Sequence, residues 1–324
     1  MNWIRKEESK VKREVLITGA TGDTGRAAVK ESITRGLTVR AMVHRKDDRS
    51  GALERLGAEV MVGDLQKIDE IRQAMEGTCA AYLVYPVQPG LIDATVYFAQ
   101  AAKETGVAAI VNLSQRSASR TSASHACQDT WIAEQALNWS GLAVTHLRPT
   151  YFLEWLLYPW QLPLFLEEGI LRLPVGKGRH APIGSEDTGR VVAAILENPT
   201  GHASQTYPLF GPVEMDHDEM AAELTKALGR KIVFENISIN DYATFLEKKG
   251  LPAYVIQHFE GAMDDYQHGV MAGMNDNVER LTGQKPMSVG EFARVHLDQL
   301  NPSLTSRTAA RPAFFPTSIT GENK

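Results

Sequence analysis

The chain has 324 residues, 43% of them hydrophobic and 23% charged, with a formal net charge of -5. This length supports a large core with room for a second lobe, and the acidic balance gives no electrostatic ground for nucleic acid or an anionic membrane as partner. The two cysteines, Cys79 and Cys127, are too few for a disulfide framework; the charged start MNWIRKEESKVKRE lacks a signal peptide's apolar run, and no stretch approaches the roughly 20 apolar residues of a membrane span, so a cytoplasmic protein is expected.

After a charged extension over residues 1–12, EVLIT (14–18) reads as a buried strand that runs into Gly19, Gly22 and Gly25 and then into a helix-like stretch ending at Gly36. Strand, glycine turn and helix in this order form a phosphate cradle. Gly19 permits the sharp turn, Gly22 lets the backbone approach a pyrophosphate, and Gly25 lets the helix lie close to the strand. A carboxylate facing a pyrophosphate would be repelled, so Asp23 is expected to turn outward and cap first-turn N–H groups, as is Thr24. A second strand over 37–43 ends at His44, Arg45 and Lys46, and a basic strand end at that place suits a ribose 2′-phosphate. NADP(H) is therefore favoured; NAD(H) stays open because Asp47 and Asp48 follow at once and would neutralise the cluster.

A third strand (59–62) leads to Asp64 and Leu65, placed to receive an adenine amino group and cover the ring, with a helix cap as the plainer role for Asp64. Strands over 80–87 and 108–115 follow, with a crossover helix between them and SGLAVTHLRP as the sixth strand. Alternating strands and helices specify an α/β fold, a doubly wound parallel sheet of the Rossmann type, with the site at the strands' carboxyl ends.

The order TGATGDTG, VRAMVHR, GAEVMVGDL and EQALNWSGLAVTHLRPTYF, extended by SEDTGRVVAAILENP, YPLFGP and DEMAAELTKALGR, resembles the NmrA-like branch of the atypical short-chain dehydrogenases/reductases over nearly the whole chain. The resemblance implies an NADP(H)-binding Rossmann core (13–152). A smaller α+β lobe (153–302) would close a cleft over the nicotinamide, with chain returning to the core around 183–212, and 303–324 would be a flexible tail. It further implies that Gly19, Thr21, Gly22, Asp23, Thr24 and Gly25 line the pyrophosphate, that His44 and Arg45 meet the ribose phosphate, and that Asp64 and Leu65 sit at the adenine. Val84, Tyr85 and Pro86 would lie along the ribose side, and Pro149, Thr150, Tyr151 and Phe152 near the nicotinamide. Relatives commonly carry Arg where this chain has His44, the basic group being shifted here to Arg45.

Short-chain reductases of the common type use a Tyr and a Lys one helical turn apart for proton transfer. No Lys occurs between Lys103 and Lys177 and no Tyr between Tyr97 and Tyr151, so that pair is missing. The segment offers Ser114, Gln115, His125, Gln128 and Glu134 instead. Ser114 and His125 are the candidate catalytic residues, Ser114 as a hydroxyl touching a substrate oxygen and His125 as a group titrating near neutrality, with a surface histidine at a helix start as the plainer reading of His125. His125 with Cys127 lacks further ligands for a metal. The run 151–174 concentrates aromatic side chains, and Phe152 and Trp155 are the candidates for an apolar wall against a flat ligand, the alternatives being the second lobe's core or a subunit contact. Glu154 is the polar exception within it. Met263, Met271 and Met274 read as core filler. The expectation is an NADPH-dependent reductase of a small apolar or aromatic acceptor such as a quinone. The alternatives are a redox sensor acting through protein partners and an isomerase or scaffold that uses the fold alone; a homodimer stays open.

Overall fold

The computed structural model describes residues 13–301; the expected extension (1–12) and tail (303–324) lie outside the described residues. The first half alternates strictly: β1 (Glu14–Ile17), α1 (Asp23–Thr34), β2 (Thr38–Val43), α2 (Asp48–Leu56), β3 (Glu59–Val62), α3 (Ile68–Met75), β4 (Ala80–Leu83), α4 (Leu91–Thr105), β5 (Ala109–Leu113), α5 (His125–Trp139) and β6 (Ala143–Pro149). A 3-10 turn at Leu153–Leu157, α6 (Leu162–Glu168) and β7 (Ile170–Leu173) begin the second lobe. The chain then continues through α7 (Ser185–Glu197), β8 (Gln205–Leu209), α8 (His217–Leu228), β9 (Val233–Asn236), α9 (Ile239–Lys248), α10 (Ala253–Gln267), α11 (Asn277–Thr282), α12 (Val289–Val295) and α13 (Leu297–Leu300).

Seven strands form one parallel sheet in the order β3-β2-β1-β4-β5-β6-β8. Both faces are covered, which is why its strands are apolar runs rather than alternating ones. Val15 and Ile17 point into a core shared with α1 and α7, whereas Leu16, between them, points into a second core shared with α3, α4 and α5. The sheet order reverses between β1 and β4, so a crevice for a ligand opens at their carboxyl ends.

β7 and β9 pair in a separate two-stranded parallel sheet. Around it, Leu153, Trp155, Phe165, Leu171, Leu224, Phe259, Tyr266 and Phe292 form a third core. Between these lobe segments the chain returns to the large sheet: α7 packs on α1, and β8 adds to β6 with Pro149 opposite Leu209.

Two expectations are corrected. The fourth strand, read as 80–87, ends at Leu83, because Val84 donates its N–H to Thr18 Oγ1 (3.0 Å) instead of to a neighbouring strand. Met263 and Met271 are core residues, but Met274 is 54% exposed in the loop between α10 and α11. Among the described residues no helix is long and apolar enough to cross a membrane.

Candidate functional site

The glycine turn follows β1. Thr18 ties its start to β4, its Oγ1 donating to Tyr82 O (3.0 Å) while accepting from Val84 N. Gly19 then turns in the left-handed region (φ 54), where the Val84 side chain also leaves no space for a Cβ (2.6 Å). Gly22 and Gly25 differ in what they face. A Cβ on Gly25 would lie 2.2 Å from the carbonyl oxygen of Gly19, so the protein's own backbone excludes a side chain there. Gly22 is exposed with an ordinary φ of -78, and a Cβ there would meet only Gly19 O, at 3.3 Å. That single contact is tight, but it is far looser than the one at Gly25. The open side in front of Gly22, at a helix N-terminus without a side-chain cap, is a cradle that a pyrophosphate fits.

Asp23 and Thr24 do not cap that helix. The Thr24 hydroxyl is buried and accepts from Tyr82 OH (3.2 Å), and the Asp23 carboxylate lies 4.0 Å from Arg26 Nη2. Burial raises the Asp23 pKa, with Arg26 opposing. Thr21, half-buried, completes the turn.

At the end of β2, His44 and Arg45 are exposed. Asp47 forms a loose ion pair with Arg45 and a closer one with Arg49. It caps α2 through a reciprocal box with Ser50, and its Oδ2 binds Arg49 at 2.5 Å, which holds its pKa low, while Arg45 Nε stays 4.0 Å away. Asp64 accepts from Gln66 N (2.9 Å), so it shapes the turn after β3, and the neighbouring Leu65 is half-buried. On the facing loop Tyr85 OH accepts from Gln66 Nε2 (2.8 Å) and donates to Pro89 O (3.0 Å), with Pro86 exposed beside it.

The carboxyl ends of β5 and β6 hold a buried ionic cluster. Ser114 Oγ donates to Glu134 Oε1 at 2.5 Å, Arg148 Nε donates to the same oxygen at 2.9 Å, and Arg148 Nη2 donates to Oε2. Glu134 is 2% exposed. In this arrangement the Ser114 hydroxyl donates to the carboxylate, leaving its lone pairs to accept from a donor above it. His125 is not part of the cluster. It is the exposed first residue of α5, its backbone N–H donating to Gln257 Oε1 (2.9 Å), and its ring makes no hydrogen bond among the described residues.

At the end of β6, Pro149 and the following Thr150 are buried, Thr150 N donating to Leu209 O (3.0 Å). The segment 151–155 then splits. Phe152 is half-buried against the sheet's core and bridges Ile183. The Tyr151 ring lies against Trp155, His180 and Tyr266 with centroids 6.2, 6.4 and 6.4 Å apart. Trp155 is 2% exposed in the second lobe's core, so it packs that lobe and does not line a wall as expected from sequence. Glu154 is buried as well. Its Oε1 accepts from Ser185 N (2.8 Å) and Ser185 Oγ (2.6 Å), its Oε2 has no partner, and burial pushes its pKa up to about 8. Sequence reading named Glu134 and Glu154 without their partners, and it passed over Arg148 and Arg116; an Arg in an otherwise apolar strand end was the available signal for the first.

Three comparisons bear on this arrangement. The NAD(P)H azoreductase of Xenophilus azovorans is 28% identical over 288 residues, spanning 87% of this chain and 97% of that one. The (4-alkanoyl-5-oxo-2,5-dihydrofuran-3-yl)methyl phosphate reductase of Streptomyces griseus subsp. griseus is 28% identical over 296 residues, 89% of this chain and 99% of that one. Among solved structures, the NADPH-dependent quinone oxidoreductase of Escherichia coli complexed with NADPH superposes with a TM-score of 0.76 at 26% identity, covering 87% of this chain and 99% of its own. The model of the NmrA-like family matches residues 11–293, and the chain belongs to that family.

Proposed function

We propose that the chain is an NADPH-dependent oxidoreductase whose acceptor is a small, flat, conjugated molecule of the quinone or azo type. The observation that carries this reading is the phosphate turn: an α1 start without a side-chain cap, open in front of Gly22 and closed behind Gly25. Gly19, Thr21 and Gly22, with the backbone N–H groups of Asp23, Thr24 and Gly25 at the start of α1, hold the pyrophosphate. His44 and Arg45 take the ribose 2′-phosphate, Asp64 and Leu65 border the adenine, and Val84, Tyr85 and Pro86 with Pro149, Thr150 and Tyr151 border the other half. Relatives named for azo compounds, a quinone and an unsaturated lactone support the acceptor class.

When bound, NADPH supplies a hydride. The chain's residues hold the acceptor beside it, Phe152 from the sheet side, and exclude bulk water through the Tyr151–Trp155–Tyr266 packing behind. A conjugated acceptor spreads the incoming charge, so solvent suffices as the proton source in place of the missing Tyr and Lys. The exposed His125 ring makes no hydrogen bond among the described residues and is not assigned the proton. Acceptor-dependent NADPH oxidation by the purified chain, compared with a Gly22→Val variant, tests this function.

A further inference from the structure

Arg116 stands two residues after Ser114, at the carboxyl edge of the sheet. Its backbone N–H donates to Pro149 O (2.9 Å) at the end of β6, and Thr150 N donates to Leu209 O (3.0 Å) at the end of β8, so residues 116, 149–150 and 209–210 form one row across three strand ends. The Arg116 guanidinium carbon lies 5.8 Å from the centroid of the Phe210 ring.

This arginine is half-buried, yet among the described residues its guanidinium has neither an ion pair nor a hydrogen bond, and its Nε is fully buried without a partner. Burial and the neighbouring Arg148 cation both push its pKa below the ordinary arginine value. The carboxylate of this edge, Glu134, is used up by Arg148 and Ser114. A partly desolvated cation beside a second cation is costly, and proteins pair such groups when they serve the fold alone. A guanidinium fork kept without an internal acceptor, next to an aromatic face, matches an oxyanion carried on an aromatic ligand.

The row lies on the β4 side of the switch point, away from the adenosine half of a dinucleotide, where the acceptor would extend beyond the reacting ring. We propose that Arg116, with Phe210, is the anion anchor of the acceptor site, and that the acceptors preferred by this chain are conjugated rings bearing a sulfonate, carboxylate or phosphate. This inference rests on the reductase reading above and narrows its substrate class.

The experiment compares naphthoquinone with its sulfonate as acceptors for the purified full-length chain and for Arg116→Gln and Arg116→Lys. The ratio of kcat/KM for the sulfonate to that for the neutral quinone falls about tenfold or more in Arg116→Gln, through KM of the sulfonate, and less in Arg116→Lys, which keeps the charge and loses the fork. A ratio unchanged in both variants overturns the inference. Calorimetric binding of naphthalenesulfonate, a non-reducible anion, in the presence of NADP⁺ gives a readout independent of turnover. Binding weakened about tenfold by Arg116→Gln supports the anchor even if neither quinone turns over, in which case it is the reductase reading that fails. Equal binding by wild type and variant overturns the anchor. Melting temperature separates out a structural role: Arg116→Gln melts at or above wild type because it removes an uncompensated cation, and a large fall in its melting temperature contradicts the proposal.

Discussion

The carbonyl oxygen of Gly19 and the Cα of Gly25 are packed so closely that a Cβ on Gly25 would sit 2.2 Å from that oxygen, while three residues earlier a Cβ on Gly22 would meet nothing nearer than 3.3 Å. The two glycines therefore respond to substitution in opposite ways. Gly25→Ala forces the start of α1 off β1 and sharply lowers the melting temperature. Gly22→Val folds with a melting temperature within a few degrees of wild type but weakens NADPH binding about 100-fold or more, because its side chain fills the pyrophosphate's place. Thermal melts and fluorescence titration with NADPH check both; tight binding by Gly22→Val would mean that the turn does not face the cofactor.

Arg45 is 58% exposed on its side chain, and Asp47, 4.0 Å from its Nε, is bound more closely to Arg49 and to the start of α2. Arg45→Gln is expected to weaken NADPH by about 10- to 100-fold, the worth of a charge-assisted pair of roughly 1.5–3 kcal/mol, and NADH hardly at all. Dissociation constants for both nucleotides decide it. Equal losses would remove the 2′-phosphate from Arg45.

Glu134 carries the Arg148 and Ser114 bonds with almost no solvent contact. Glu134→Gln strands the Arg148 charge and costs about 3 kcal/mol in urea unfolding, and adding Arg148→Met recovers most of that loss. Additive losses in the double variant would show that the pair does not act as a unit.

Glu154, its pKa pushed by burial from the ordinary 4.5 up to about 8, stabilises the folded state only while it holds its proton. Between these values the folded chain binds the extra proton, so stability from this group is complete below about pH 4.5, falls as pH rises, and is fully lost above about pH 8. Glu154→Gln keeps the oxygen that Ser185 needs and abolishes this dependence, so the variant gains roughly 2–4 kcal/mol over wild type at pH 9 and little at pH 4. Unfolding free energies across that range check the sign, and parallel curves for the two proteins would refute it.

The sheet and its glycine turn were legible because parallel strands buried on both faces and a glycine-bearing strand-to-helix turn are local patterns: Val15, Leu16 and Ile17 and the three glycines declare themselves without tertiary knowledge. Burial direction after Pro149 was not legible. Phe152 and Trp155 are three residues apart in one aromatic run, yet a 3-10 turn sends the first to the sheet's core and the second into the other lobe. The ionic roles were hidden for the same reason. Glu134 and Arg148 lie on a helix and a strand 14 residues apart, and nothing in the spacing says that they meet or that Arg116 is left over. His125 was singled out for its titration range alone, and its exposure at the head of α5 argues that His125→Gln changes kcat by less than about threefold.

The decisive measurement is steady-state oxidation of NADPH by the purified chain with a naphthoquinone, followed alongside reduction of the acceptor. Saturable, stoichiometric turnover, absent in Gly22→Val, is expected. Tight NADPH binding by the wild-type chain with no acceptor reduced faster than by NADPH free in solution would contradict the reductase reading.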